Sequence, residues 1–340
     1  MRNIRWGVIG VARFGTIHAR VIQALPGCEL GAICNHNPSR LQEAAEVFPG
    51  VTAVTDYRRL LEADDIDAVS ITTHWQQHHQ VAMDALASGK HVLLEKPMAA
   101  TADQCRELVA AAGGADGHFM VGHICRFDPR ISQAKRMIDE GRIGRIVSMH
   151  AKRNLPRAPG RIRLDKISPL LGDGIHDADM MMWFLDRPPS SIYARNVRVN
   201  QFKYPDLGWA MLNFDDDAVG VVETVWCLPE STPTVIDARI EIVGSEGALT
   251  IDSSNTGLPI LSAAGAKMHD TVFWPEQHGK TVGVLSYEID YFAECIRSDR
   301  APDVVTPAEA ARAVIVMEAA ERSALIGQPV SLDQDDLLGA

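Results

Sequence analysis

Cysteine is scarce and unpatterned in this chain. The six cysteines, at positions 28, 34, 105, 125, 227 and 295 of 340, have neither metal-ligand nor redox spacing. That excludes a disulfide scaffold and a cysteine metal centre, and favours reduced structural thiols as in cytoplasmic proteins. No apolar run approaches the ~20 residues that cross a bilayer. The N-terminus turns into a strand at once, without a signal-peptide pattern, so a complete, soluble, cytoplasmic chain is expected. Positive charge is in deficit, with a formal net charge of −11, which argues against a nucleic-acid or anionic-membrane surface. An anionic cofactor stays compatible, because local amides and a few arginines hold phosphate whatever the total. Repeats, low-complexity tracts and flexible linkers are also missing. The length suggests about two domains, and these are expected to pack tightly with a ligand between them.

What is present is a change of pattern near residue 125. Before it, short apolar runs (4–9, 30–34, 68–72, 91–94 and 119–122) alternate with amphipathic helical segments (16–25, 40–47, 77–88 and 102–112). That alternation implies a parallel sheet covered on both faces. Beyond it come a helix at 131–140, a strand at 146–152, a polar, proline-bearing stretch to Pro169 and a helix from about Gly174 to Leu185. Strands follow near 192–200, 209–214, 219–226 and 235–243, then helices at 285–297 and 307–325. Alternation such as Ile236-Asp237-Ala238-Arg239-Ile240-Glu241-Ile242 fits a mostly antiparallel sheet with one solvated or partner-covered face. The expected fold class is α/β. A doubly wound parallel Rossmann sheet over residues 1–124 precedes an α+β domain over 125–340 with a large open sheet. The final helices are free to pack back on the first domain.

The first strand runs into Gly10-Val11-Ala12-Arg13-Phe14-Gly15 and then a helix. The spacing Gly10, Ala12, Gly15 matches the dinucleotide fingerprint with alanine at its second glycine. Gly10 would make the tight turn, Gly15 would let helix approach strand, and the amides between them would face a pyrophosphate at the helix N-terminus. An acid normally follows about 20 residues on, bonding the ribose 2′-hydroxyl. Here the second strand ends at Asn35, followed by His36 and, further on, Arg40. Without a carboxylate a 2′-phosphate meets no repulsion and Arg40 could pair with it, which tilts the reading from NAD towards NADP. Asn35 could still bond a free ribose hydroxyl.

In a parallel sheet the working groups sit at the carboxyl ends of the strands. Lys96 occupies such an end in Gly89-Lys90-His91-Val92-Leu93-Leu94-Glu95-Lys96-Pro97. The run Gly174-Ile175-His176-Asp177-Ala178-Asp179 adds a histidine on an apolar helix.

With Gly10-x-Ala12-x-x-Gly15, Glu95-Lys96-Pro97 and Gly174-x-His176-x-x-Asp179 in this order, the chain resembles the Gfo/Idh/MocA family, named for glucose–fructose oxidoreductase and inositol dehydrogenase. The resemblance runs from the first strand to the last helix. It implies NAD(P)-dependent oxidation or reduction of a sugar, polyol or related carbonyl compound. It also implies that Lys96 lies near the reacting carbon with an often cis bond to Pro97, and that His176 exchanges the substrate hydroxyl proton. The family aspartate four residues before that histidine falls on Gly172, with a carboxylate one place later at Asp173. Either Asp173 takes over or the usual helper is missing, and Asp173 would serve equally as a cap for the following helix. Thr72-Thr73-His74-Trp75-Gln76-Gln77-His78 stands where the family often has Thr-Pro-Asn-x-x-His. Thr72, Thr73, His74 and His78 are therefore expected near the nicotinamide ribose.

An unperturbed imidazole titrates near 6.5, suited to moving the hydroxyl proton at neutrality. A protonated Lys96 would polarise the substrate oxygen. Asp173 would tune both, and Glu95 would hold Lys96 or touch the cofactor. Arg126, Arg153, Lys166 and His278 could reach the substrate or be ordinary surface charge. Residues 180–184 read as core. Asp215-Asp216-Asp217 reads as a tight turn, and no metal site is expected. The alternatives to a dehydrogenase are a catalytically silent NAD(P)-binding sensor, or a lyase or glycosidase that uses bound NAD transiently. The large sheet suggests a homodimer or homotetramer.

Overall fold

The structure is a computed structural model that describes residues 3–215, 218–263, 265–333 and 337. The chain divides into two compact units, one of residues 3–127 with Val272–Ala311, the other of Asp128–Thr271 with the chain from Arg312 on.

The first unit is built on β1 (Ile4–Ile9), β2 (Cys28–Cys34), β3 (Thr52–Val54), β4 (Ala68–Ile71), β5 (His91–Glu95) and β6 (Phe119–Gly122). They form one sheet in the order β3-β2-β1-β4-β5-β6, and every pair is parallel. That is the dinucleotide-fold order, which reverses direction at β1 and leaves a crevice at the carboxyl ends of β1 and β4. The helices are α1 (Arg13–Ala24), α2 (Pro38–Val47), α3 (Tyr57–Leu61), α4 (His78–Ala87) and α5 (Ala102–Gly113). Local chemistry starts several of them. Asn37 caps α2, its side chain accepting from the amides of Ser39 and Arg40, with Pro38 in the first turn, and Thr101 caps α5. Neither β3 nor α3 is announced by the sequence pattern. β3 is a three-residue edge strand with no buried residue, so no apolar run marks it.

The second unit contains α6 (Pro129–Asp139), β7 (Ile146–Asn154), α7 (Arg157–Leu164), α8 (Ile175–Leu185), β8 (Ser191–Val197), β9 (Leu207–Phe214), β10 (Ala218–Val225), β11 (Asp237–Gly244), β12 (Ala248–Asp252), β13 (Pro259–Ser262) and β14 (Gly265–Met268). Later in the chain come β15 (Glu276–Gln277), β16 (Lys280–Thr281), α9 (Val284–Arg297), α10 (Pro307–Ile326) and β17 (Val330–Ser331). The large sheet has the order β12-β11-β7-β10-β9-β8-β17 and is antiparallel except for the β7–β10 pair. The strict alternation of burial along β9 and β10 gives it two unlike faces. α8 packs on one of them, and Gly220 is small because Met181 presses there: a Cβ would lie 2.7 Å from its sulfur. The other face exposes Trp209, Met211 and Val243.

α7 runs through the proline-bearing stretch before Pro169, with Pro159 in its first turn, where proline costs no hydrogen bond. No helix among the described residues is long and apolar enough to cross a membrane.

Candidate active site

In the first unit the glycine turn is shaped by close packing. Gly10 has φ +104°, and a Cβ on it would lie 2.7 Å from the backbone of Thr72 and Thr73. A Cβ on Gly15 would lie 2.5 Å from the Gly10 carbonyl oxygen and the Thr72 hydroxyl. Only glycine fits either place, so α1 is drawn tight against the turn. Ala12 occupies the cap position and offers no side-chain acceptor, and no acid lies in the first turn of Arg13 and Phe14. An uncapped helix end beside a bare glycine turn fits an anionic pyrophosphate, for which NAD or NADP is the matching group. Asn35 is buried, donating to the Val11 carbonyl at 2.8 Å and accepting from the Asn37 amide at 3.0 Å. Its side chain therefore holds the turn in shape. His36 and Arg40 are exposed beyond it, and Arg40 has no ion pair among the described residues.

The loops after β4 and β5 are tied together. The Thr72 hydroxyl donates to the carbonyls of Ile9 and Gly10, both at 3.2 Å. His78 is fully buried, with Nδ1 2.7 Å from the Pro97 carbonyl and Nε2 3.1 Å from that of Thr73. Burial pushes its pKa below the ordinary histidine value. Both ring nitrogens face carbonyl oxygens, so a neutral ring donates to one of them, and the shorter contact favours the Pro97 carbonyl. His78 thus ties the start of α4 to the residue after Lys96, while His74 is exposed at the tip of the loop before it. The Lys96–Pro97 bond is cis.

Glu95, buried at the end of β5, accepts from the Lys96 amide at 3.2 Å, and its other oxygen lies 3.2 Å from His18 Nε2. The His18 Nδ1 is 2.9 Å from the Ser70 hydroxyl. Glu288 of α9 is fully buried beside Glu95, and neither of its oxygens has a hydrogen-bond partner among the described residues. Burial first, and the neighbouring Glu95 second, hold the Glu288 carboxyl well above the usual range, which favours its protonated form.

In the second unit His176 is buried in the first turn of α8. Residues Leu170–Gly174 just before it form a π turn, a distortion common at functional sites. A Cβ on Gly172 would lie 2.6 Å from the Trp226 ring, so an acidic side chain there would collide with a buried indole. Asp173 is buried and accepts from Arg163 Nη1 at 3.0 Å. Arg153 is buried and donates to Asp177 from Nη2 at 2.8 Å.

Other residues singled out in the sequence have the following surroundings. Arg126 is buried inside the first unit, donating to Glu309 and to the Val304 carbonyl, each at 2.8 Å. Its contacts are those of an internal tie. Lys166 is exposed, and His278 sits with positive φ in the turn between β15 and β16. Residues 180–182 and 184 are core, as expected. Asp215 has φ 59°, while Asp216 and Asp217 lie outside the described residues. No metal-binding group of three or more His, Cys, Asp and Glu occurs among the described residues. Sequence reasoning missed Glu288, His18, Arg163 and Trp226. A fully buried acid on an otherwise apolar helix face was the one local signal available, at Glu288.

Residues 4–123 match the model of an oxidoreductase family with an NAD-binding Rossmann fold, GFO_IDH_MocA, and residues 131–250 match the GFO/IDH/MocA C-terminal domain. A scyllo-inositol 2-dehydrogenase (NAD(+)) of Bacillus subtilis is 28% identical, covering 97% of each chain. Inositol 2-dehydrogenase 2 of Saccharopolyspora erythraea is 30% identical over 72% of each. The crystal structure of myo-inositol 2-dehydrogenase from Lactobacillus plantarum superimposes with a TM-score of 0.85 at 21% identity, covering 98% of this chain and 100% of that one.

Proposed function

The chain belongs to the Gfo/Idh/MocA oxidoreductase family, and from that premise we propose that it transfers a hydride between a nicotinamide nucleotide and a ring polyol or sugar, with Lys96 and His176 as its catalytic residues. The observation that carries this is Lys96 at the carboxyl end of β5, its amide held by Glu95 and its following proline clamped by His78. The nicotinamide supplies the hydride acceptor when bound. Gly10, Ala12, Arg13, Phe14 and Gly15 provide the uncapped helix end for its pyrophosphate. Thr72, Thr73 and His74 form the rim next to that turn.

His176 removes the proton of the reacting hydroxyl as the carbon is oxidised, and returns it in the reverse direction. A protonated Lys96 polarises the substrate oxygen and stabilises alkoxide character. Asp173, three residues before His176 and held by Arg163, is the helper carboxylate in this reading. The relatives named as inositol dehydrogenases support inositol-like polyols as the substrate class. For the nucleotide, the NAD(+) of the Bacillus subtilis name supports NAD. The exposed, unpaired Arg40 keeps NADP as the second reading.

The test is nicotinamide absorbance with NAD and NADP against a panel of inositols and aldoses, with Lys96→Ala alongside. Turnover that falls by about 10²–10⁴ in the variant while nucleotide binding persists supports the assignment. Nucleotide binding without turnover on any substrate would sink it in favour of the sensor reading. The exposed face around Trp209 and Met211 supports self-association into a dimer or tetramer. Light scattering that finds only monomer at micromolar concentration would refute that.

A further inference from the structure

The charge of this chain is unevenly spent. Between Lys152 and Lys166 there are six cations and a single acid, Asp165, within a molecule of net charge −11. Three of the six are neutralised. Lys152 pairs with Asp237 at 2.7 Å, Arg153 with Asp177 at 2.8 Å and Arg163 with Asp173 at 3.0 Å. Arg157 and Arg161 are not. Both are exposed on α7 four residues apart, so they share one face, and neither has an ion pair among the described residues.

α7 is also fixed in place. Its Leu164 joins Leu155 and Trp226 in a buried cluster, and a Cβ on Gly160 would lie 2.2 Å from the Trp226 carbonyl oxygen. The Arg163 guanidinium lies over the Trp226 ring, 5.6 Å from its centroid, while one nitrogen reaches Asp173. The helix is therefore anchored beside the turn that leads into His176. Two of the acids near His176 are already paired. Asp173 and Asp177 are each matched by an arginine, and Trp226 fills the space an acid at position 172 would need.

From this arrangement we infer that the substrate is anionic, a polyol or sugar bearing a carboxylate or phosphate. Its charged group is received by Arg157 and Arg161. This rests on the dehydrogenase reading above and narrows its substrate class. Guanidinium groups suit both anions, because their planar N–H pairs match carboxylate and phosphate oxygens alike. A neutral inositol would gain hydrogen bonds from them but no charge pairing.

The experiment compares kcat/KM on myo-inositol and glucose with that on glucuronate, gluconate and glucose 6-phosphate, at low and high salt. The expected result is a preference of about tenfold or more for at least one anionic class, lost at high salt. In an Arg157→Gln/Arg161→Gln double variant that preference should shrink through KM. The carboxylate and phosphate arms show which anion is meant. A neutral polyol preferred over all its charged counterparts would overturn the inference and leave the dehydrogenase standing. If nothing on the panel turns over, the dehydrogenase reading fails, and calorimetry with gluconate and glucose 6-phosphate tests the anion site by itself. Binding that the double variant loses supports it, and no binding to wild type overturns it.

Discussion

Glu288→Gln should stabilise the protein at neutral and mildly alkaline pH and flatten its pH dependence. Glu288 is fully buried with both oxygens unbonded, next to Glu95. A Cβ on Gly122 would touch one oxygen of each, at 2.8 and 2.9 Å, so the two carboxyls share one site. Glu95 has the Lys96 amide and His18 to receive its charge, and Glu288 has nothing comparable. The proton therefore stays on Glu288, whose native pKa is raised well above the normal carboxyl value by burial and by Glu95. In the unfolded chain the same glutamate ionises near 4.3. Between these two values unfolding releases a proton that the native state holds, so stability falls as pH rises. The slope for one proton is up to about 1.4 kcal/mol per pH unit. Glutamine keeps the shape, can donate to Glu95 from its amide, and has no proton to lose. Urea unfolding of both proteins from about pH 5 to about pH 8 should give curves that diverge in favour of the variant as pH rises. Parallel curves would refute the reasoning, because they would mean that Glu288 is already ionised in the folded protein. A variant that loses ground with rising pH would refute it more strongly.

Removing the guanidinium from the buried Arg153–Asp177 pair by Arg153→Met should cost about 3–5 kcal/mol in urea unfolding, because a buried carboxylate is left uncompensated. The double variant Arg153→Met/Asp177→Leu should recover most of that loss. Gly10→Ala forces a Cβ onto the backbone of Thr72 and Thr73 at a positive φ, so it should abolish nucleotide binding measured by calorimetry. Normal affinity in a folded Gly10→Ala protein would remove the turn from the cofactor site. His78→Phe removes the hydrogen bond to the Pro97 carbonyl and should lower kcat more than it weakens nucleotide binding. Equal losses in both would make His78 a fold residue only.

The elements and their chemistry were largely legible in order along the chain. Gly10 and Gly15 announce the turn because no other residue can approach a neighbouring backbone so closely. Asn37-Pro38 announces a helix start, and Glu95-Lys96-Pro97 at the end of an apolar run announces a strand end facing a crevice. Each of these is local physics, settled within a few residues by sterics, capping or burial period. The partners were not legible. Arg126 reads as a substrate contact or a surface charge, and only the fold buries it on Glu309. Asp173 reads as a catalytic helper or a helix cap, and only the fold sets Arg163 against it, just as only the fold puts Trp226 where a side chain at Gly172 would lie. The union of Glu288 with Glu95 depends on where α9 lands against β5. Local pattern says that a group is buried or charged, but which group answers it is decided by packing between distant segments. That choice exists only in the tertiary structure.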